Sequence, residues 1–377
     1  LSTSYRFMFR ISILLSFLII LLLASCSRKS ISSLQRRGVV VTQRQVTLRG
    51  EGSSLNNVQI QYLGCGGLYI RHAGQAIMID PFFSHQPFMT IGRSMMLGGR
   101  IRSKPKHIAW ARKRLYDSLG ISAEDLSKET KAIFAAHGHY DHLMDVPYIH
   151  RYWLQGQAHV YANESAVNTC AGVISSDKLH SAEQLAAIRE QPGKSVDLPG
   201  ADGSVIKVYP LLAAHNPHMR NIKLFSGSVM RPPAHFNDPL DKTRVNDWLE
   251  GRTLSFLIDI EQNNSVVFRI FVQSSSCEFP DGLPPQELLS ARPVDLAILG
   301  VASYQFSETS YPCQYLDRLQ PRHLMFIHWE DFFRPYTRKP KSVMKNDIPR
   351  FFNEVLEKCK PAGYILPVPG VVINAEF

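Results

Sequence analysis

One stretch of the chain concentrates side chains able to do chemistry: Ala135-Ala136-His137-Gly138-His139-Tyr140-Asp141-His142-Leu143-Met144-Asp145. A neutral imidazole is a good ligand for Zn²⁺, and a carboxylate oxygen is a hard supplementary ligand. His137 and His139 are two residues apart, so on extended backbone they project to the same side. Gly138 between them permits a tight turn. Asp141 and His142 follow at the start of the next element, where they can face a second metal. A carboxylate there also suits the N-terminal dipole of a helix. A single histidine would read as a satisfied polar group on a loop. The full set at this spacing argues for metal.

Such a cluster needs rigid elements to present it. Ala132–Ala136 is an apolar strand-like run that breaks off at His137, and Pro147–Leu154 beyond it has a helical pattern. Upstream, Val58–Leu63, Leu68–His72 and Ala76–Asp80 read as short strands separated by Gly64-Cys65-Gly66-Gly67 and Ala73-Gly74. His107–Leu119 and Ala123–Glu129 look helical, His159–Ala162 extended, and Ser181–Glu190 helical. Val205–Ala214 is a long strand candidate that ends at a histidine. Leu254–Ile260 and Val266–Gln273 flank Asn263-Asn264, a hairpin signal. Pro285–Leu289 starts a helix, Val294–Val301 is a buried-strand run, and Gln314–Leu319 is helical. His323–His328 is another strand ending at a histidine. Asp347–Lys358 reads as an amphipathic helix, and Tyr364–Pro367 with Val371–Ile373 as closing β-structure. Strands alternate with helices throughout, which predicts an α/β layered domain.

His137-Gly138-His139-Tyr140-Asp141-His142 resembles the His-x-His-x-Asp-His signature of the metallo-β-lactamase superfamily. Gln61-Tyr62-Leu63-Gly64-Cys65-Gly66-Gly67-Leu68-Tyr69-Ile70, followed by Ile79-Asp80-Pro81-Phe82, is similar to that superfamily's opening strands. It is closest to the branch of N-acyl-phosphatidylethanolamine phospholipase D and the ascorbate-phosphate lactonases. The resemblance covers residues 56–377. It implies an α/β (α+β four-layer) fold, the αββα metallo-β-lactamase sandwich of two mixed β-sheets flanked by helices, with metals at one edge between the sheets.

Carried over residue by residue, the resemblance makes His137 and His139 ligands of a first metal, with His215, after the strand Val205–Ala214, as the third. His218 is a substrate contact or a competing ligand. Asp141 and His142 become ligands of a second metal, completed by His328, while His323 at the start of the same run is structural. Asp80 would accept a hydrogen bond from a ligating imidazole and fix its tautomer, or simply form the turn before Pro81. Asp145 would do the same or favour the turn of the next helix. Tyr304 reads as packing. One position departs from the pattern. Where the family places a metal-bridging aspartate, this chain has Gln273-Ser274-Ser275-Ser276-Cys277. Hydroxyls ligate far more weakly than carboxylates, so the second metal is expected to be loose or absent. Cys277 as a thiolate is one substitute, and an ordinary buried thiol the other reading.

The implied activity is that of a zinc-dependent hydrolase with one or two ions, or another divalent metal. Zinc lowers the pKa of its water towards about 7, so hydroxide is available at neutral pH. Asp141 is the candidate catalytic group, orienting the water or shuttling its proton. The substrate is a small or lipid-like ester, lactone, amide or phosphodiester, with a phospholipid-like phosphodiester first. The run Ser274–Ser276 lacks the strand-turn-helix context of a nucleophile elbow. A non-catalytic metal-binding envelope lipoprotein is the alternative, motivated by the missing carboxylate.

The 377 residues are 45% hydrophobic and 20% charged, a globular composition that excludes collagen, coiled coil and disorder. Arg6 and Arg10 precede an apolar run, Ile11–Ala24, shorter than the roughly 20 residues a spanning helix needs. With Leu23-Ala24-Ser25-Cys26 it reads as a lipoprotein signal peptide over 1–25, leaving Cys26 as the lipidated residue. Residues 26–55, rich in arginine, read as a flexible tether, and 56–377 as the hydrolase domain. These features predict a lipid-anchored protein of the bacterial cell envelope. The formal net charge of +10 favours anionic surfaces. The export signal and the lack of a clustered basic-aromatic patch argue against nucleic acid as a partner. After Cys26, five cysteines remain, so at least one is unpaired or bonded elsewhere.

Overall fold

The computed structural model describes residues 28–49, 57–218, 222–307, 311–344 and 346–377. Its strands are β1 (Val46–Arg49), β2 (Asn57–Gly64), β3 (Gly67–His72), β4 (Gln75–Ile79), β5 (Thr130–Phe134), β6 (His159–Ala162) and β7 (Leu179–Ser181) in the first half. The second half adds β8 (Val196–Pro199), β9 (Val205–Ala213), β10 (Thr253–Gln262), β11 (Ser265–Gln273), β12 (Leu296–Gly300), β13 (His323–Ile327) and β14 (Val372–Glu376). They form two mixed sheets, ordered β1-β14-β2-β3-β4-β5-β6-β7 and β13-β12-β11-β10-β9-β8.

The period-two alternation of these strands explains the layering. Ala132 and Phe134 of β5, and Leu254, Phe256, Ile258 and Ile260 of β10, meet in a core between the sheets. The residues that alternate with them are also buried, on the outer faces. Ile133 packs with Ile108, Ala111 and Leu115 of helix Pro105–Leu119. Leu257 and Phe271 pack in the core that holds Leu316 and Leu319 of helix Cys313–Leu319. The result is the four-layer αββα sandwich. Full burial of each large apolar side chain contributes about 1.5–3 kcal/mol.

Strand direction gathers the chemistry at one edge. β3 is antiparallel to β2 and β4, so β2 and β4 run together, and β5 is parallel to β4. In the other sheet β10 is antiparallel to β9 and β11, while β12 and β13 are parallel to β11. The C-terminal ends of β2, β4 and β5 therefore lie along one edge of the first sheet. Those of β9, β11 and β13 lie along one edge of the second. Open α/β sheets bind their ligands at such ends.

Several expectations change. Residues 28–49 are no loose tether. Leu34, Val39, Val41 and Leu48 are buried, and β1 pairs in parallel with β14. The apolar residues of this segment follow no regular period, so their pattern carried no sign of burial. Ser181–Glu190 is not a helix but the end of β7 followed by the short turn Glu183–Leu185. Tyr364–Pro367 contributes only isolated bridges, Ile365 to Met325 and Pro367 to Thr42. The hairpin at Asn263-Asn264 forms with φ of 51° and 61°, the left-handed conformation that asparagine tolerates. The leader and Cys26 lie outside the described residues, among which no helix is long and apolar enough to cross a membrane.

Candidate metal centre

The loop after β5 is held from both sides. Asp80, at the end of β4, accepts from the Ala136 amide at 2.7 Å, and the Gly138 amide donates to the Glu250 carbonyl at 2.9 Å. Gly138 is needed for a reason other than turning. Its φ is not positive, but a Cβ there would lie 2.1 Å from the Leu249 carbonyl oxygen. Gly138→Ala should therefore push the loop off its seat, costing roughly 1–3 kcal/mol. A lower urea midpoint together with lower metal content would show it; an unchanged midpoint would mean the loop has slack.

This clamp brings His137 and His139 to His215, which follows β9, with one nitrogen of each ring within 4.8 Å of the others. His137 Nε2 and His139 Nδ1 face each other at 2.9 Å. Burial, reinforced by the surrounding imidazoles, holds both rings well below the usual histidine range, which keeps them neutral. His215 is also lowered by burial. Its Nδ1–H donates to the Asn216 carbonyl at 2.6 Å, which leaves Nε2 as the acceptor.

A second group lies alongside. Asp141, His142 and His328 converge with Cys65, again within 4.8 Å. Asp141 Oδ2 is 3.8 Å from His142 Nε2 and 3.7 Å from His328 Nε2. Asp80 Oδ2 accepts from His142 Nδ1 at 2.8 Å, so His142 Nε2 is turned to the cluster as an acceptor. Burial alone would depress His142, but Asp80 and Asp141 outweigh it and raise its pKa. Burial holds His328 well down, with His142 adding to the effect. The Asp141 carboxylate in the group, with Asp80 behind His142, supplies negative charge that a cation would balance. Both groups suit a divalent ion: three imidazoles in one, and imidazole, carboxylate and thiol in the other.

The remaining sequence candidates fall elsewhere. His218 stacks on His215 at 4.7 Å between ring centroids and stands outside both donor groups. Its Nδ1 accepts from the Leu224 amide at 3.1 Å, so the neutral ring carries its proton on Nε2 and is a hydrogen-bond donor, not a ligand. Asp145 touches no imidazole and makes no side-chain cap. Its Oδ2 accepts from the Phe83 and Ser84 amides at 2.7 and 2.8 Å, pinning the segment after Asp80. Cys277 is also displaced from the site. Its sulfur accepts from the Ala214 amide at 3.2 Å. Ser274, at the position expected to bridge two metals, donates to Asp80 at 2.6 Å instead. Cys313 and Cys359 form a disulfide, while Cys65, Cys170 and Cys277 are free and buried.

Cys65 is the residue that the sequence reading passed over. The signal was present: a single side chain inside an otherwise all-glycine turn at the end of β2. A cavity of about 250 Å³ opens beside both groups, reached by His139, Asp141, His215 and His328. Phe88, Phe225, Phe306, Phe332, Phe333 and Met344 supply much of its apolar wall, and among the described residues no lysine or arginine lines it.

No family model matches the sequence, and no curated protein matches it. Solved structures of similar fold include a metallo hydrolase from the archaeon Ignicoccus hospitalis (13% identity, TM-score 0.45, 85% of this chain and 99% of that one). A metallo-β-lactamase fold protein from Bacillus subtilis is similar at 9% identity and TM-score 0.41, over 85% and 99% of the two chains. An isothiocyanate hydrolase from Delia radicum gut bacteria is similar at 14% identity and TM-score 0.41, over 83% and 98%. At such identities the reaction must be argued from this chain's own residues.

Proposed function

We propose that the chain is a metal-dependent hydrolase, with a first ion held by His137, His139 and His215 and a second by Asp141, His142 and His328. The observation that carries this reading is the convergence of two donor groups, each within 4.8 Å, beside one cavity. Zinc suits the imidazole-rich donors best. A divalent ion bound there lowers the pKa of water and polarises a carbonyl or phosphoryl oxygen. Around it, His218 Nε2–H is a neutral donor for a substrate oxygen. Asp141 Oδ1 and Oδ2 give one carboxylate that can both ligate and hold a proton. The aromatic walls exclude water and bind apolar substituents.

The substrate class follows from that wall. A scissile ester-type bond flanked by a large apolar group fits, and a phospholipid-like phosphodiester combines it with an anionic head for the cationic centre. The lack of lysine and arginine in the described lining favours a second reading, an uncharged acyl ester, lactone or amide. Export and attachment through Cys26 belong to the same proposal, supported by the disulfide between Cys313 and Cys359, which suits an oxidising compartment.

The test is a series of chromogenic acyl esters and phosphodiesters of increasing chain length, run with zinc-loaded protein and after chelation. Turnover should rise with chain length, vanish on chelation and return with zinc. Equal turnover of short and long substrates would remove the apolar reading. No turnover of either class by the loaded protein would favour a binding lipoprotein.

A further inference from the structure

We propose that Cys65 is the fourth protein ligand of the second metal, supplying the negative donor that the Ser274–Ser276 segment lacks. This rests on the metal-centre reading above and sharpens it. Cys65 Sγ is 3.3 Å from His328 Nε2 and 3.6 Å from Asp141 Oδ2. A tetrahedral zinc site with bonds of about 2.0 Å to N or O and 2.3 Å to S has edges of about 3.3–3.6 Å. The two sulfur edges already match that spacing, and Asp141 Oδ2 stands slightly farther out, at 3.8 Å from His142 Nε2 and 3.7 Å from His328 Nε2.

The surroundings hold the thiol there. Cys65 has φ of 53°, a conformation glycine adopts at no steric cost, and its three neighbours in the turn are glycine. The one non-glycine residue is the one whose sulfur enters the cluster. Buried Glu330 accepts from the Cys65 amide at 2.6 Å, from Tyr62 Oη at 2.6 Å and from Tyr336 Oη at 2.9 Å. Tyr62 Oη in turn accepts from the His328 amide at 2.9 Å. One network thus positions two of the four donors. Gly66 lets the turn approach: a Cβ there would lie 2.8 Å from His142 Cε1 and 2.9 Å from Ser274 Cβ.

Two consequences follow. Three imidazoles leave the first site with an open position, as catalytic zinc sites have. Cysteine, aspartate and two histidines close the second, as structural sites are closed. The two ions then differ in task, and the thiolate selects a thiophilic metal such as zinc or cobalt over magnesium or manganese. Binding breaks the Cys65 S–H bond, releases the proton to solvent and forms the metal–sulfur bond.

Cobalt loading tests this without reference to turnover. The full chain should take up two Co²⁺ and show a thiolate-to-cobalt charge-transfer band in the near ultraviolet, unmoved by inorganic phosphate. C65S should lose the band and weaken one ion by more than the roughly 10–100-fold that an outer partner costs. C65D should restore two ions without the band, which guards against a folding defect in C65S. C170S and C277S should keep it. A wild type that binds cobalt without the band, or a band that survives C65S, overturns the assignment while leaving the metal centre intact. A band shifted by phosphate overturns the closed site. A wild type that binds no cobalt overturns both readings.

Discussion

His139→Ala should lower turnover of any substrate this chain hydrolyses by at least about 10³-fold, or about 4 kcal/mol in the barrier, while the far-ultraviolet circular dichroism is unchanged. His139 is one of three rings that gather beside the cavity, and its neutral nitrogen faces His137 at 2.9 Å. Removing it leaves two imidazoles, too few to keep a tightly held ion with one position open. The fold should survive, because the hydrogen bonds that start the next helix come from the His139 main chain and not from its ring. Its main-chain carbonyl still accepts from the His142 and Leu143 amides. The measurement is metal content and kcat of the same preparation. Loss of one ion with loss of turnover is expected. Full activity with one ion missing would mean that the chemistry sits on the other group.

The parts of this centre that were legible in the sequence are those carried by local spacing. His137, His139, Asp141 and His142 lie within six residues, and a strand pattern ends where they begin. His215 and His328 were reached through the family resemblance, which expects a histidine after a later strand, and each does follow one, Val205–Ala213 and His323–Ile327. What was not legible depends on contacts between distant segments. Cys65 meets His328 across 263 positions, and the glycine turn around Cys65 marks the residue without naming its partner. Asp145 lies beside the histidines in sequence, yet its carboxylate is spent on the Phe83 and Ser84 amides. Gly138 looked like a turn residue, but the constraint on it comes from the Leu249 carbonyl on another loop. The same holds for the fold. Strands with clear alternation were found nearly to the residue. β1 was missed because its partner β14 lies far along the chain, and only that pairing gives its short, charged segment a place.

Asp80 should prove costly to alter. It is fully buried, has φ of 42°, and accepts three hydrogen bonds: Ala136 N at 2.7 Å, His142 Nδ1 at 2.8 Å and Ser274 Oγ at 2.6 Å. These partners come from the loop after β5, the metal cluster and the end of β11, so one side chain ties both sheets to the site. Asp80→Ala would leave the Ala136 amide and His142 N–H buried without acceptors, at about 1–3 kcal/mol each, and Ser274 would lose its partner too. A loss of roughly 3–6 kcal/mol in urea unfolding is expected on that basis. Asp80→Asn separates stability from metal. Its oxygen can still accept from Ala136, but an amide NH₂ facing His142 Nδ1 favours the tautomer with the proton on Nε2. That proton would occupy the lone pair turned towards Asp141 and His328. Affinity for the second ion should fall by about 10–100-fold, with a smaller loss of stability than in the alanine variant. Asp80→Asn with two ions bound as tightly as in the parent chain would show that the tautomer of His142 is set by something other than this carboxylate.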